Sequence, residues 1–316
     1  MQVRRPATAL GIRRRKDSAA RSFFYFLAAL PPILATAMLL ALLYRSWPIL
    51  ESKPLWKLLA DKIWLPNQGE FGFYPFIAGT LWVTVVAMIL AVPPCLLTAI
   101  YLVEYASSRL RAFMKPLLDL LAAIPSVVYG VWGMLTIVPM VQAIGPKMGK
   151  LLGFIPLFSS KNPTGFSILA GSIVLAVMVA PFIIAVSYEV LHTVPSGYRE
   201  ASLAVGATKW QTVKYAVLPK TMTGIVAGVV LGASRALGET MAVLMVVGNV
   251  PKVPASIFDP AYPLPALIAN NYGEMLSIPL YDAALMSAAL ILLVIVLVFN
   301  ILSTLMLRRI ARRAKE

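Results

Sequence analysis

The 316-residue chain has one cysteine, Cys95, and one histidine, His192. A single cysteine cannot build a disulfide framework or a thiolate metal cluster within the chain. His192 stands next to an expected helix end and is read as a boundary residue without a chemical role. Charge is also scarce, at 13% of residues, where a soluble domain carries about a quarter. No phosphate-binding loop G-x-x-x-x-G-K-[ST] is present; the nearest string, "GPKMGKLLG" from Gly145, has the wrong spacing and no Ser or Thr after Lys150. There is no H-E-x-x-H and no cluster of carboxylates. A chain with these gaps is expected to catalyse nothing by itself and to hold no metal and no cofactor. If it moves a solute uphill, another subunit or an ion gradient supplies the energy.

Apolar sequence is abundant, at 59% of residues. The runs 23–44, 71–103, 120–146, 162–188 and 283–307 contain no Asp, Glu, Lys or Arg, and 221–251 is interrupted only by Arg235 and Glu239. Each is long enough for a helix to cross a bilayer, which takes roughly 20 residues. They are too long, and too uniform in polarity, for the strands of a barrel. An all-α membrane protein with six transmembrane helices follows. The first run is too long for a signal-peptide core and is read as a retained anchor.

The net charge of +15 is unevenly placed. Nineteen of the 28 Lys and Arg lie in the two tails, the loop after span two and the loop after span four; the opposite loops hold eight. Positive residues favour the cytoplasmic side, so both termini are expected there. The basic tails then read as topology signals beside anionic lipid, with no nucleic-acid partner. This divides the chain into a basic tail 1–22, a six-span domain 23–307 with an inner loop 191–219, and a basic tail 308–316. Pro31, Pro32, Pro93, Pro94, Pro125, Pro139 and Pro181 fall at membrane depth and should bend their helices. Trp47, Trp56 and Trp64 suit a membrane–water interface. The proline-rich outer loops serve either as a docking platform or as connectors on the lipid surface.

The inner loop reads "HTVPSGYREASLAVGATKWQTVKYAVLPKTMTG". Residues 198–205 predict a short helix that starts after Pro195 and stops at Gly206. Residues 208–218 predict a second, with Trp210, Val213 and Val217 on one apolar face and Lys209, Gln211 and Lys214 toward water, before Pro219 opens span five. Such a pair lies on lipid or docks a soluble partner. "EASLAVGATKWQTVKYAVLP" resembles the Glu-Ala-Ala loop of ABC-importer permeases: Glu200, Ala201, Gly206, Leu218 and Pro219 match in register, while Ser202 and Ala216 depart. "LLAAIPSVVYGVWG", "GASRALGETMAVLMVVGN", "GTLWVTVVAMILAVPPCLLTAIYLVEYA" and "VSYEVLHTVPSGYREASLAVGATKW" are similar to PstC-type permeases of bacterial phosphate importers.

That resemblance implies the type I ABC-importer permease fold and import of inorganic phosphate across the bacterial inner membrane. It implies a second, PstA-type permease, two copies of a PstB-type cytoplasmic ATPase that hydrolyses the ATP, and an extracytoplasmic PstS-type phosphate-binding protein. It makes Glu200, Ala201 and Gly206 the ATPase-coupling residues. A permease for phosphonate, sulfate or molybdate is the nearest alternative. A gradient-driven carrier is the alternative from another class, although it usually shows inverted repeats and an ion-binding relay.

Gly224, Gly228 and Gly232 form a small-residue stripe that lets another helix approach. At about 100° per residue, Arg235 and Glu239 fall in the same sector of roughly 80°. The pair is therefore expected on the packing face, with Glu239 at i+4 within reach of Arg235. One reading makes it a buried lock between helices. The other makes Arg235 a transient phosphate ligand that Glu239 neutralises in the empty state. Ser126, Tyr129, Ser234, Thr240 and Asn249 could line such a path, with ordinary interhelical hydrogen bonds the simpler role for each.

Overall fold

The computed structural model describes residues 7–159, 162, 164–274 and 278–313; Arg4, Arg5, Lys161 and Lys315 of the charge count lie outside them. Six helices among the described residues are long and apolar enough to cross a membrane: Ala20–Ser52, Tyr74–Tyr105, Ser126–Leu152, Ile168–His192, Lys209–Leu237 and Tyr281–Arg312. Six crossings bring the start of the first span and the end of the sixth to one face, here the terminal face.

Helix α1 spans Ala7–Ser52 and is followed by α2, Leu55–Ala60, and a two-stranded antiparallel ribbon of β1, Trp64–Leu65, with β2, Glu70–Phe71. Span two is α3, Tyr74–Ile100, prolonged by a wide π turn over Tyr101–Tyr105. Next come α4, Ser108–Ala123, then α5, Ser126–Trp132, a π turn over Gly133–Ile137 and α6, Val138–Leu152, which together make span three. Span four is α7, Ile168–His192. The terminal-face loop forms α8, Ser196–Ala204, and α9, Lys209–Thr212, which runs through a π turn over Val213–Val217 into α10, Leu218–Leu237. The opposite face then receives α11, Met241–Leu244, and α12, Leu264–Asn271, before α13, Tyr281–Arg313.

Four sequence expectations change. The apolar run 120–146 is not one helix. Pro125 cannot continue α4 because it disfavours helical backbone at Ile124 before it, and Ile124 is extended at φ −62°, ψ 129°. Residues 120–123 thus belong to α4, on the terminal face, and the Tyr129 hydroxyl donates to the freed Leu121 carbonyl at 2.9 Å. Residues 208–218 are not a separate helix before Pro219 either. The Leu218 N–H reaches back to the Val213 carbonyl in the π turn, so Pro219 follows a widened turn and the helix continues. Pro139 follows the same device, with the Val138 N–H on the Gly133 carbonyl; a wide turn gives room where a proline ring would crowd the preceding carbonyl. The run 221–251 breaks after Leu237. As for the tryptophans, Trp47 and Trp56 are exposed. Trp64 instead stacks edge-on with Phe71 and Phe76 in a cap that also holds Phe73 and Tyr281.

The centre of the bundle is α3 against α7. Val83, Ala87, Ala91 and Cys95 meet Val174, Leu175, Met178 and Val179, all buried, and the Ser172 hydroxyl donates to the Val83 carbonyl at 3.0 Å. By contrast α1 touches little besides α13 and leaves Phe23, Phe24, Tyr25 and Phe26 exposed; only a hydrocarbon solvent makes that surface favourable. The loop between spans five and six is folded back into the bundle. Phe258, Ala261, Leu264 and Leu267 are buried, and the Leu264 N–H donates to the Thr80 hydroxyl at 2.9 Å.

Helix α10 lies on α7 along the glycine stripe. A Cβ on Gly224 would stand 2.6 Å from Val190, on Gly228 2.7 Å from Val186 and on Gly232 2.8 Å from Ile183. Replacing Gly228 by Val is expected to overpack this seam by about 1–3 kcal/mol and to lower the amount of chain recovered from membranes. Val186→Ala in the same chain should restore part of it, as measured by thermal melting in detergent.

Candidate functional site

The stripe and Arg235 part company. Each i+4 step rotates the seam by about 40°, so Ala236 lies at about 120° from Gly224 while Arg235 lies at about 20°. Ala236 is buried with the core, and Arg235 is exposed on the adjoining open face of α10. Leu231 and Lys220 are exposed on that same face.

The expected Arg235–Glu239 pair does not form. Helix α10 ends at Leu237, with Gly238 at φ −94°, ψ 0° and Thr240 at φ −109°, ψ −63°, so the i+4 geometry of a continuous helix is lost. The Glu239 carboxylate instead accepts the Ala242 N–H at 3.3 Å, at the start of α11. Among the described residues the ion pairs are Lys53–Glu70, Lys115–Glu189 and Arg199–Glu104; none includes Arg235. Its compensation comes from position, in the last turn of α10, where unpaired carbonyls favour a cation.

The remaining polar candidates are engaged locally. The Ser234 hydroxyl bonds the Asn300 side-chain carbonyl at 2.9 Å and so ties α10 to α13. Thr240 donates to the Gly238 carbonyl at 3.2 Å. Asn249 takes the left-handed conformation at φ 51° and donates to the Leu244 carbonyl at 2.8 Å; its Oδ1 is buried without a partner. Ser126 begins α5. The break after Leu237 is bounded by tight packing: Gly130 of α5 meets Ala242 and Met245, and Gly133 meets Val174 and Val246.

On the terminal face, α8 has no buried residue and exposes Tyr198 and Leu203, with Val205 just after it and Trp210 on α9 also exposed. Glu200 and Ala201 are exposed on it. Gly206 ends it in the left-handed region at φ 84°, with nothing near its missing Cβ. Ser202, the departure from the Glu-Ala-Ala pattern, accepts a hydrogen bond from the Thr212 hydroxyl at 3.0 Å and joins α8 to α9. Thr208 caps α9 reciprocally with Gln211. Lys115 of α4 pairs with Glu189 at 2.7 Å; the hydrogen bond and charge of Glu189 raise the affinity of that amine for its proton. Both side chains are largely exposed, so the pair adds little stability.

Sequence reasoning missed Glu104. It counted Arg199 only as a topology charge. The two meet across 95 positions, a separation that no local pattern reports.

Residues 95–316 match the family model described as "Binding-protein-dependent transport system inner membrane component". The chain is 37% identical over 292 residues to the phosphate transport system permease protein PstC of Pasteurella multocida, covering 91% of this chain and 90% of that protein. It is 37% identical over 281 residues to the protein of the same name in Haemophilus influenzae, covering 88% of each. It is 35% identical over 291 residues to that of Mesorhizobium japonicum, covering 90% of this chain and 88% of that one. Among solved structures, a bacterial ABC transporter that imports the acidic polysaccharide alginate superposes with a TM-score of 0.59 at 17% identity, over 94% of this chain and 99% of that one. The inward-facing MetNI methionine ABC transporter superposes with a TM-score of 0.53 at 20% identity, over 73% and 93%.

Because Gly206 has open space but a left-handed backbone, Gly206→Ala is expected to cost about 1–2 kcal/mol, all of it conformational. Gly206→Asn should cost less. Hydrogen exchange of the α8 amides would read both: faster exchange in the Ala variant than in the Asn variant is expected.

Proposed function

The chain belongs to the inner-membrane permeases of binding-protein-dependent transport systems, within the PstC-type group, and from that premise we propose that it imports inorganic phosphate as one half of an ATP-driven pathway. It is a multi-pass inner-membrane protein with the type I ABC-importer permease fold, and a transport subunit. The observation that carries the phosphate reading is the 37% identity to a phosphate permease across 91% of the chain.

In this reading the terminal face is cytoplasmic, as its excess of Lys and Arg favours. The exposed apolar residues of α8 and α9 meet a PstB-type ATPase, present in two copies, which hydrolyses the ATP. Glu200, Ala201 and Gly206 form the contact: Glu200 offers a carboxylate, Ala201 permits close approach and Gly206 sets the angle at which α8 ends. A PstA-type permease covers the open face of α10, and a PstS-type binding protein delivers phosphate to the opposite face.

Arg235 is the translocation ligand. Phosphate carries negative charge that an apolar pore excludes. A guanidinium offers it two parallel N–H···O bonds. The absence of an Arg235–Glu239 ion pair supports this role over a permanent lock, since the cation stands on an open face without a carboxylate to displace. One cation is also few enough to permit release, which conduction requires. Glu239 has a different part from neutralising Arg235: its bond to the Ala242 N–H holds the break that ends α10, and its charge opposes a long phosphate dwell.

Arg235→Gln is expected to lower ATP-driven phosphate uptake by at least about tenfold, the loss of one charge-assisted bidentate contact, while the second permease and the ATPase still co-purify. Loss of the complex in that variant would instead make Arg235 a structural lock. Glu239→Gln should retain more uptake than Arg235→Gln, since an amide oxygen still accepts from Ala242.

A further inference from the structure

Helix α8 buries none of its residues, so apolar packing does not hold it to the bundle. Polar contacts do: the Thr212 hydroxyl on Ser202 and the Lys220 amine over the Tyr198 ring tie α8 to α9 and α10, and Arg199 ties it to the rest. The Arg199 guanidinium donates from Nε and Nη2 to the Glu104 carboxylate at 3.0, 3.1 and 2.7 Å. The same group donates from Nη1 to the Val194 carbonyl at 2.6 Å and from Nη2 to the Leu191 carbonyl at 3.2 Å. Glu104 lies in the π turn that ends span two; Leu191 and Val194 stand at the end of span four. A single rigid planar group therefore joins α8 to the ends of two membrane helices.

The burial of this group matters. The Glu104 side chain is 6% exposed and that of Arg199 is 22% exposed. Breaking such a pair leaves an uncompensated charge in a low-dielectric site, so the two groups do not separate readily. The contacts around it fasten the same junction. The Lys209 amine lies 4.8 Å from the centre of the Tyr105 ring, next to Glu104, and Thr212 holds Ser202. The links through Ser202 and Tyr198 run to α9 and α10, whereas the Arg199 fork reaches the ends of spans two and four.

We infer that Arg199 and Glu104 are positioning residues that transmit displacement of α8 to spans two and four, so that they set how much solute moves per ATP and not merely whether α8 is folded. This rests on the importer reading, in which an ATPase moves α8. Arg199→Lys keeps the cation but gives a single ammonium that cannot hold the carboxylate and both carbonyls at once. Glu104→Gln keeps the shape and removes the charge.

The test uses the complete transporter, with its second permease, ATPase and binding protein, in proteoliposomes. It measures ATPase recovered per permease, ATP hydrolysed and phosphate imported per ATP. Expected for Arg199→Lys is unchanged recovery and continued hydrolysis, with phosphate per ATP reduced by about tenfold, because a charge-assisted fork is replaced by a point contact. Glu104→Gln is expected to move the same ratio in the same direction. A purely structural role lowers the amount of complex and leaves the ratio alone; an unchanged ratio in both variants overturns the inference. An unsubstituted transporter that hydrolyses ATP without importing phosphate overturns the importer reading and the clasp with it, which separates the two failures.

Discussion

A backbone at membrane depth has no water to bond with, so every departure from helix must find its partners inside the protein. Most of this architecture follows from that constraint. The chain interrupts its helices repeatedly, at the edge of span three as well as within its spans, and polar partners or tight packing meet these interruptions. The Tyr129 hydroxyl takes the carbonyl freed before Pro125. The π turns before Pro139 and Pro219 keep the helix hydrogen-bonded across a residue without an N–H. The break after Leu237 is bounded by Glu239 and by residues packed on Gly130 and Gly133. A helix can be broken here only because α5, α7 and α11 crowd around it.

The same constraint sorts the charges. Glu104 and the half-buried Arg199 are paired at the terminal face, where each completes the other. Arg235 is placed differently: it sits in the last turn of α10, on a face this chain leaves open. A cation in the last turn of a helix, without an ion-pair partner among the described residues, is poised to meet an anion. A clasped cation is poised to carry load. In the proposed transport cycle the two arginines divide the work between a site that must release its ligand and a joint that must not.

Much of this was legible in the sequence. Long charge-free runs fix six spans because hydrocarbon tolerates little else, and Gly206 marks a helix stop because only a residue at ease in the left-handed region fits there. The glycine stripe signals close approach of another helix without saying which; the helix that lies along it is α7. The errors are equally physical. Helical arithmetic assumed a continuous helix through Gly238 and treated the seam as fixed in angle, whereas an i+4 stripe winds around the helix and leaves Arg235 beside it. Hydropathy cannot see Pro125 end a helix inside an apolar run. Nor does any sequence period join Glu104 to Arg199, because that contact depends on how spans two and four end together. The Ser202 departure, which looked like drift from a small-residue pattern, is a hydrogen bond to Thr212.

The central claim is that ATP hydrolysis by a partner drives phosphate through this chain. The most direct measurement is uptake of labelled phosphate by proteoliposomes holding the full complex, with ATP supplied on the ATPase side and ion gradients collapsed. The account predicts uptake that requires ATP and binding protein and that sulfate does not match. Uptake that persists without ATP, or that follows an imposed ion gradient, would contradict it.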